Sequence, residues 1–285
     1  MSTYKISFRE LRQDPQLSQM LSALERGLAK FDIDFFLIGA VARDVWMTAI
    51  NGIPPSRVTG DIDFAIFIDD KEKYDILKQY LIDTEGFHSS RENAFVLVWN
   101  NFAFVDLLPF GAIESDEAKV SVDGIGLTSV NVPGFKEVYD YGMPTAELEG
   151  IHSFKFCTLP GIVILKLIAY EDRPEIRRDD IIDISKILKH FFSMYSEEIY
   201  ENHNELFGGV RKLPEIAAIV MGREMSKIAS LNPALYDRLE ALLVRNTQDL
   251  KASEIGRIMV DFFGNTVGEN VGTLKSVLAG FRGEI

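Results

Sequence analysis

The chain has 285 residues, of which 47% are hydrophobic and 26% charged, a balance typical of a globular protein with one or two domains. Its formal net charge of −13 argues against a broad, non-specific nucleic-acid surface. The only cysteine is Cys157, which excludes internal disulfides and cysteine-based metal clusters. The sequence contains neither an apolar run long enough to span a bilayer nor an N-terminal secretory signal, so we expect a cytoplasmic protein without membrane contact.

The first part of the sequence alternates helix and strand patterns. Apolar residues at helical spacing predict a helix over residues 14–31, and 33-IDFFLIG-39 is typical of a buried strand. Residues 40–50 predict a second helix, and residues 51–60 are so rich in Gly, Pro and Ser that we expect a loop. This loop leads into an apolar strand, 61-DIDFAIFI-68.

The same alternation continues to about residue 150. The patterns predict, in order, a helix over residues 69–83 capped by Asp69 or Asp70, strands over 94–99 and 102–110, and short strands within 118–132. Asn100-Asn101, between the two longer strands, is a hairpin signal. From about residue 159 helical patterns dominate to the end of the sequence. We therefore predict an α/β (α+β) domain with a mixed β-sheet over residues 1–155 and an α-helical domain over residues 156–285.

Two carboxylates stand at the start of the strand 61–68. Because side chains alternate along a strand, Asp61 and Asp63 point to the same side, about 7 Å apart. Like charges at this spacing repel unless a cation lies between them or one carboxylate takes up a proton. The alternative is a turn or sheet edge at which both acids face water.

Neighbouring residues favour a site for phosphate and metal ions. Gly39, between a strand and a helix, allows a ligand to approach the backbone, and the helix start offers N–H groups to a phosphate. Two-metal phosphoryl chemistry calls for a further carboxylate, and Asp106 is a lone acid within an apolar strand. Mg²⁺ prefers such oxygen ligands. For Asp106, a strand-end position or one half of a buried ion pair are the alternatives.

The segments 36-FLIGAVARDVW-46, 61-DIDF-64 and 104-FVDLL-108 resemble the signature of the polymerase-beta-like nucleotidyltransferase superfamily. The resemblance implies two Mg²⁺ ions, with Mn²⁺ as a substitute, bound by the catalytic and metal-binding residues Asp61, Asp63 and Asp106. It also implies nucleotide binding at the Gly39-Ala40 turn, where Ala40 replaces the usual Ser or Gly. Arg43, beside Asp44, is either an ion-pair or helix-surface residue or a further phosphate contact.

Lys166 interrupts the apolar run IVILKLIA in the helical part of the sequence. Burying its ammonium group costs free energy unless the group contacts an anion, which could be a phosphate or a carboxylate. The alternative is that the aliphatic stem packs while the ammonium reaches water.

The segment 159–188 resembles the helices of the AbiEii-type (abortive infection) nucleotidyltransferase toxins. The matching residues are Lys166, Arg173, Asp180 and Asp183, while Asp179 stands where a basic residue is usual. The resemblance implies that Lys166, Arg173 and Asp183 bind the nucleotide, that Asp180 is catalytic and that the helical domain completes the active-site cleft. Asp180 and Asp183 share one helix face, where they either stabilise a helix N-terminus, orient Lys166 or deprotonate an attacking hydroxyl.

Together these residues predict a Mg²⁺-dependent nucleotidyltransferase that moves an NMP group from an NTP to an acceptor hydroxyl of RNA, a tRNA end or a protein. The resemblance further implies a toxin role with an antitoxin protein as partner. The alternatives are a small-molecule, antibiotic-type nucleotidyltransferase and a non-catalytic nucleotide-binding or interaction module. Glycosyl transfer also uses Asp-x-Asp but usually follows a longer nucleotide-binding unit.

Overall fold

We describe the protein from a computed structural model, in which residues 2–55 and 60–285 are described. The chain divides into two compact units, Met1–Thr158 and Leu159–Ile285. The first contains a mixed β-sheet with helices and the second contains helices, so the predicted fold class is confirmed. Part of the loop predicted over residues 51–60 lies outside the described residues.

The first unit is organised around one mixed sheet. Its strands are β1 Thr3–Ile6, β2 Phe35–Leu37, β3 Asp61–Phe67, β4 Phe87–Ser89, β5 Val96–Trp99, β6 Ala103–Phe110, β9 Thr145–Leu148 and β10 His152–Phe156, in the spatial order β1-β9-β10-β2-β3-β6-β5-β4. The pairs β1/β9, β10/β2 and β3/β6 are parallel and the remaining pairs are antiparallel. A separate pair is formed by β7 Lys119–Ser121 and β8 Ser129–Asn131.

Helices connect these strands. They are α1 Phe8–Leu11, α2 Leu17–Lys30, α3 Gly39–Asp44, which continues directly as a π-helical segment Val45–Ile50, α4 Lys71–Glu85 and α5 Phe135–Tyr141. The helices predicted over 14–31, 40–50 and 69–83 are thus confirmed to within a few residues. Asp70 caps α4 by accepting a hydrogen bond of 2.8 Å from the Lys73 N–H group. The sequence patterns predicted neither the short helices α1 and α5 nor the strands β1, β9 and β10.

The predicted hairpin is also confirmed. β5 and β6 pair in antiparallel register, and the turn residues Asn100 and Asn101 have φ angles of 48° and 54°. Two successive positive φ angles are typical of the tight turns that match strand twist, and Asn tolerates them better than most residues. The hairpin places β6 between β5 and β3.

The second unit is helical, as predicted. Its helices are α6 Leu159–Asp172, α7 Arg178–Met194, α8 Ser196–Asn202, α9 Leu213–Ala229, α10 Pro233–Gln248, α11 Glu254–Phe263 and α12 Val267–Arg282, with a short 3₁₀ turn over Asn204–Phe207. The backbones of α9 and α12 touch where they cross. A Cβ atom added to Gly280 would lie 2.8 Å from the Ile219 carbonyl carbon, and one added to Gly222 would lie 2.7 Å from the Phe281 nitrogen.

No helix within the described ranges 2–55 and 60–285 is long and apolar enough to cross a membrane.

Candidate active site

The three predicted metal-binding aspartates lie on one face of the sheet. β3 and β6 pair in parallel register, with Asp63 opposite Asp106 and Asp61 opposite Phe104. Residues paired in this way project to the same face from strands about 4.8 Å apart, and Asp61 follows two positions away on β3. Asp61 is exposed, whereas Asp63 and Asp106 are half-buried. Asp106 therefore lies within a strand, and its interpretation as a strand-end residue is wrong.

The apolar neighbours of these acids explain why the register is fixed. Ile62 and Phe64 flank Asp63 and are 6% and 0% exposed, and Val105 and Leu107 flank Asp106 and are both 0% exposed. A slip of one residue would turn these apolar side chains out of the core and the carboxylates into it. The alternation of β3 and β6 therefore holds the carboxylates on the opposite face from these four side chains.

Gly39 lies against the carboxylate of Asp63. Gly39 has a φ angle of +67°, and a Cβ atom added to it would lie 2.8 Å from Asp63 Cγ and closer still to Oδ2. The backbone is tied to the same residue, because the Ile38 N–H group donates a hydrogen bond of 2.9 Å to the Asp63 carbonyl oxygen. The start of α3 and the Asp63 carboxylate on β3 are therefore in direct contact. A side chain at position 39 would force them apart. Ala40, the next residue of α3, is buried.

Tyr74 supports β6 behind the carboxylates, and sequence reasoning had missed it. Its side chain is completely buried, and its hydroxyl donates a hydrogen bond of 3.1 Å to the Leu107 carbonyl oxygen. Burial, followed by the charges of Asp75 and Asp106, raises the pKa of Tyr74 above its ordinary value. A tyrosine on the apolar face of α4 gives no sequence signal that distinguishes such a support from ordinary core packing.

The donor set is of the kind that Mg²⁺ binds. Carboxylate oxygens without sulfur or imidazole nitrogen suit a hard divalent cation, and half-buried carboxylates on one face repel each other unless a cation is present. Within residues 2–55 and 60–285, no group of three or more His, Cys, Asp and Glu side chains is already arranged to hold a metal ion. The oxygen donors of Asp61, Asp63 and Asp106 suit the ion by their chemistry and lie on one face of the sheet, and their assignment as ligands stays a prediction.

Arg43 is buried in this structure. The residue is 0% exposed, and its Nε and Nη2 atoms donate hydrogen bonds of 2.9 and 2.8 Å to Asp44 Oδ1. The interpretation of these neighbours as helix-surface residues is wrong, because both are buried. The ion pair offered as the alternative is present, and a contact between Arg43 and a phosphate stays a prediction.

The helical unit brings Lys166, Asp180 and Asp183 together. Lys166 Nζ from α6 lies 2.7 Å from Asp180 Oδ1 and 2.8 Å from Asp183 Oδ2, both in the first two turns of α7. Lys166 is only 7% exposed, so the alternative in which its ammonium reaches water is wrong. Burial alone would lower the pKa of Lys166, but the attraction of the two carboxylates outweighs burial and raises the pKa. The lysine is therefore held as a cation.

The remaining predicted residue of this unit, Arg173, follows α6 directly and is half-buried. Nearby in sequence, Arg177 Nη1 lies 3.8 Å from Asp180 Oδ2. The predicted site residues thus fall into two clusters. One, in Met1–Thr158, contains Gly39 and the three aspartates, and the other, in Leu159–Ile285, contains the Lys166 ion pairs. A single cleft built from both clusters stays a prediction.

No protein-family model matches the chain, and no curated protein matches it. The solved structures similar to the chain include the antibiotic-resistance factor ANT(2'')-Ia, with a TM-score of 0.37 and 12% identity over 80% of this chain and 96% of that one. Another is an antigenic nucleotidyltransferase-like protein from Paracoccidioides brasiliensis, with a TM-score of 0.39 and 16% identity over 70% of this chain and 91% of that one. At these low scores and identities, neither likeness assigns the chain to a family.

Proposed function

We propose that the protein is a Mg²⁺-dependent nucleotidyltransferase, which transfers an NMP group from an NTP to an acceptor hydroxyl. One observation carries this proposal. Asp63 and Asp106 stand in register on neighbouring parallel strands, Asp61 shares their face, and Gly39 packs directly against Asp63 at the start of a helix. A structural role alone gives no reason to collect three carboxylates on one face beside a glycine with a positive φ angle.

In this mechanism Asp61, Asp63 and Asp106 would hold Mg²⁺. By analogy with two-metal phosphoryl transfer, two ions would be bound, and Mn²⁺ could replace Mg²⁺. Bound ions would offset the negative charge of the triphosphate and of the transition state. The turn at Gly39-Ala40 presents backbone N–H groups to the phosphates. Asp106 accepts the proton of the acceptor hydroxyl, whose oxygen forms the new bond to the α-phosphorus while the bond to pyrophosphate breaks.

The helical unit supports a narrower assignment. Lys166, Asp180 and Asp183 meet in one buried cluster, and these are residues of the motif that resembles the AbiEii-type toxins. In this assignment the acceptor is an RNA or tRNA end or a protein. Lys166 and Arg173 bind the nucleotide, and an antitoxin protein regulates the enzyme in the cytoplasm. The net charge of −13 favours a small contact area on the acceptor over an extended RNA footprint.

Transfer of label tests the proposal. The protein is incubated with Mg²⁺, each NTP labelled at the α-phosphate and, separately, total tRNA, cell protein and a panel of aminoglycosides. We expect label on one class of acceptor, and that class distinguishes the toxin assignment from a small-molecule transferase. Absence of transfer to every acceptor, together with absence of Mg²⁺-dependent NTP binding, would refute the enzyme proposal.

A matched pair of variants tests the metal ligands. Asp63→Asn should lower transfer by at least about 100-fold, because one ligand of the charged array is lost. The control is Asp69→Asn. Asp69 follows the same strand, is exposed and pairs with Lys73 at 3.1 Å, away from the start of β3. Binding of Mn²⁺, followed by electron paramagnetic resonance, should weaken in the first variant and remain unchanged in the second. Equal Mn²⁺ binding by Asp63→Asn and the parent would remove Asp63 from the ligand set.

A further inference from the structure

A serine, a histidine and a glutamate form a hydrogen-bonded chain between α2 and β10. His152 Nε2 lies 2.8 Å from Ser18 Oγ, and His152 Nδ1 lies 2.9 Å from Glu25 Oε2. His152 is 1% exposed, whereas Ser18 and Glu25 are half-buried. The ring is thus enclosed, while the serine residue that it contacts is partly exposed.

The sequence places these groups by simple helix and strand geometry. Ser18 and Glu25 are seven residues apart on α2, which is two helical turns, so both point from the same face. His152 is the first residue of β10, where its pairing with Leu148 of β9 fixes the backbone. The strand end therefore positions the ring, and the helix face provides one partner for each ring nitrogen, Ser18 at Nε2 and Glu25 at Nδ1.

One tautomer of a neutral ring satisfies both hydrogen bonds. A carboxylate only accepts, so with Glu25 ionised His152 Nδ1 donates to it, and the neutral ring then leaves Nε2 as an acceptor for the Ser18 hydroxyl. The other oxygen of Glu25, Oε1, is buried and has no hydrogen-bond partner among the described residues. Glu25 therefore contacts the ring through Oε2 alone. This order of hydroxyl, imidazole and carboxylate is that of an activated nucleophile with its base and its orienting group.

The cluster is separate from the aspartate site. In the pairing of β10 with β2, Lys155 lies opposite Phe36, which brings His152 level with residue 33. In the pairing of β2 with β3, Leu37 lies opposite Phe64, which brings Asp63 level with residue 38. Five residues along a strand correspond to about 17 Å. The inference therefore does not rest on the proposed nucleotidyltransferase function.

We propose that Ser18 is a nucleophile that accepts acyl groups from small, activated carboxylic esters, with His152 as its base and Glu25 as a positioning residue. Ser18 Oγ forms a bond to the acyl carbon, and its proton passes to His152 Nε2. The bond between the acyl carbon and the ester oxygen breaks, and the departing alcohol or phenol takes the proton from His152. Water, deprotonated by the same nitrogen, then releases the acid and restores Ser18.

The backbone around Ser18 limits the rate of both steps. The N–H groups of Leu17, Ser18 and Gln19 already donate to the carbonyl oxygens of residues 14, 15 and 16 at 3.0 to 3.1 Å. They are therefore poorly placed to stabilise the oxyanion that forms in acylation and again in deacylation, and this stabilisation is usually the largest contribution to acyl transfer. Because an activated ester has a good leaving group, we expect acylation to be the faster step, with one acylation per chain followed by slower deacylation.

Covalent labelling tests the proposal. The intact protein is treated with 4-nitrophenyl acetate and, separately, with a fluorophosphonate probe, and the modified residue is mapped by peptide mass spectrometry. We expect a burst of nitrophenol of one equivalent per chain and a label on Ser18, both absent in Ser18→Ala. The matched control is Ser22→Ala. Ser22 lies one turn further along α2, where its hydroxyl donates to the Ser18 carbonyl oxygen at 2.9 Å, and its loss should leave labelling unchanged.

Two further variants separate base from support. His152→Gln should slow labelling by at least about 100-fold, the usual contribution of a general base. Glu25→Gln should also slow labelling, and the His152 Nδ1–H resonance in the proton NMR spectrum should shift or disappear, which loss of packing alone would not cause in a protein with unchanged circular dichroism. If His152→Gln fails to fold, the mapped label, Ser18→Ala and Glu25→Gln decide. Absence of label, label on another residue, or wild-type labelling in a folded His152→Gln protein would overturn the proposal.

Discussion

Replacing Gly39 with alanine tests the contact on which the aspartate site depends. Gly39 has a φ angle of +67°, and an L-residue in this left-handed region costs about 1–2 kcal/mol. The added Cβ would also lie 2.8 Å from Asp63 Cγ and 3.2 Å from Asp63 Cβ, so α3 or the carboxylate must move. Overpacking of this kind costs about 1–3 kcal/mol. We therefore expect Gly39→Ala to lower the free energy of unfolding by about 2–5 kcal/mol.

Gly150→Ala is the matched control within the same unit. Gly150, between β9 and β10, has a φ angle of +66°, and a Cβ atom added there meets no atom within 4 Å. Its substitution carries the backbone cost alone, about 1–2 kcal/mol. Urea unfolding of both variants, followed by circular dichroism, isolates the cost of displacing Asp63 as the difference between them. Titration with Mn²⁺ should show weaker binding in Gly39→Ala and unchanged binding in Gly150→Ala.

The unfolding measurement and the Mn²⁺ titration test different parts of the reasoning, and each has its own refuting outcome. Equal destabilisation of the variants would show that Asp63 and Gly39 are not in close contact, which would refute the geometry itself. A larger cost for Gly39→Ala with unchanged Mn²⁺ affinity would leave the geometry intact and would show that Asp63 is not a metal ligand. The proposed function and the structural argument beneath it can therefore be judged separately.

Three further predictions concern ion pairs and a contact between helices. Lys166→Met removes the ammonium group that two buried carboxylates contact, so we expect a loss of about 3–5 kcal/mol in urea unfolding at neutral pH. Gly280→Ala should lower the melting temperature because α9 and α12 must separate, whereas Gly272→Ala, on the same helix with nothing within 4 Å of the added Cβ, should stabilise by up to about 1 kcal/mol. Burial alone would raise the pKa of Asp34, but hydrogen bonds, chiefly from Lys155, hold the pKa below its ordinary 3.8. Its stabilisation should therefore be complete well above pH 3.8 and lost as the pH falls below that value, and Lys155→Met should raise the pKa of Asp34 in a carboxyl NMR titration.

The sequence predicted the parts of the fold that local patterns encode. Asp61 and Asp63 stand two residues apart on β3, so their common face followed from strand geometry, whereas the position of Asp106 on that face depends on the register of β3 with β6. Asn100-Asn101 marked the hairpin because few residue types tolerate the φ angles of that turn. The buried position of Lys166 within an apolar run called for an anionic contact, which its two carboxylates provide. In each case the physical requirement falls on a few neighbouring residues.

The features that were not predicted depend on residues far apart in the sequence. β1 is a strand only because it pairs with β9, more than 130 residues later, and four residues at a chain end show no pattern of their own. Arg43 lies on α3, where the adjacent residues Ala42 and Asp44 are also buried. Two adjacent charged residues at positions 43 and 44 gave no indication of this burial. The contacts of His152 leave no local sequence pattern because its partners lie 127 and 134 residues away. Only the spacing of Ser18 and Glu25 was visible, and such pairs are common on exposed helix faces.

The charge of the Lys166 cluster constrains how the helical unit could serve a nucleotide. One ammonium group faces two carboxylates at hydrogen-bond distance, and Arg177, 3.8 Å from Asp180, brings the formal charge of these four groups to zero. The raised pKa of Lys166 means that the cation is retained, and its position is fixed on two sides. A fixed cation interacts with a developing negative charge without reorganising, which is where preorganised groups act most strongly. A phosphate would nevertheless have to compete with Asp180 and Asp183 for that ammonium. These contacts therefore indicate that the main role of Lys166 is to stabilise and orient α6 and α7. Lys166 would neutralise a nucleotide only when one of the two carboxylates is displaced or protonated.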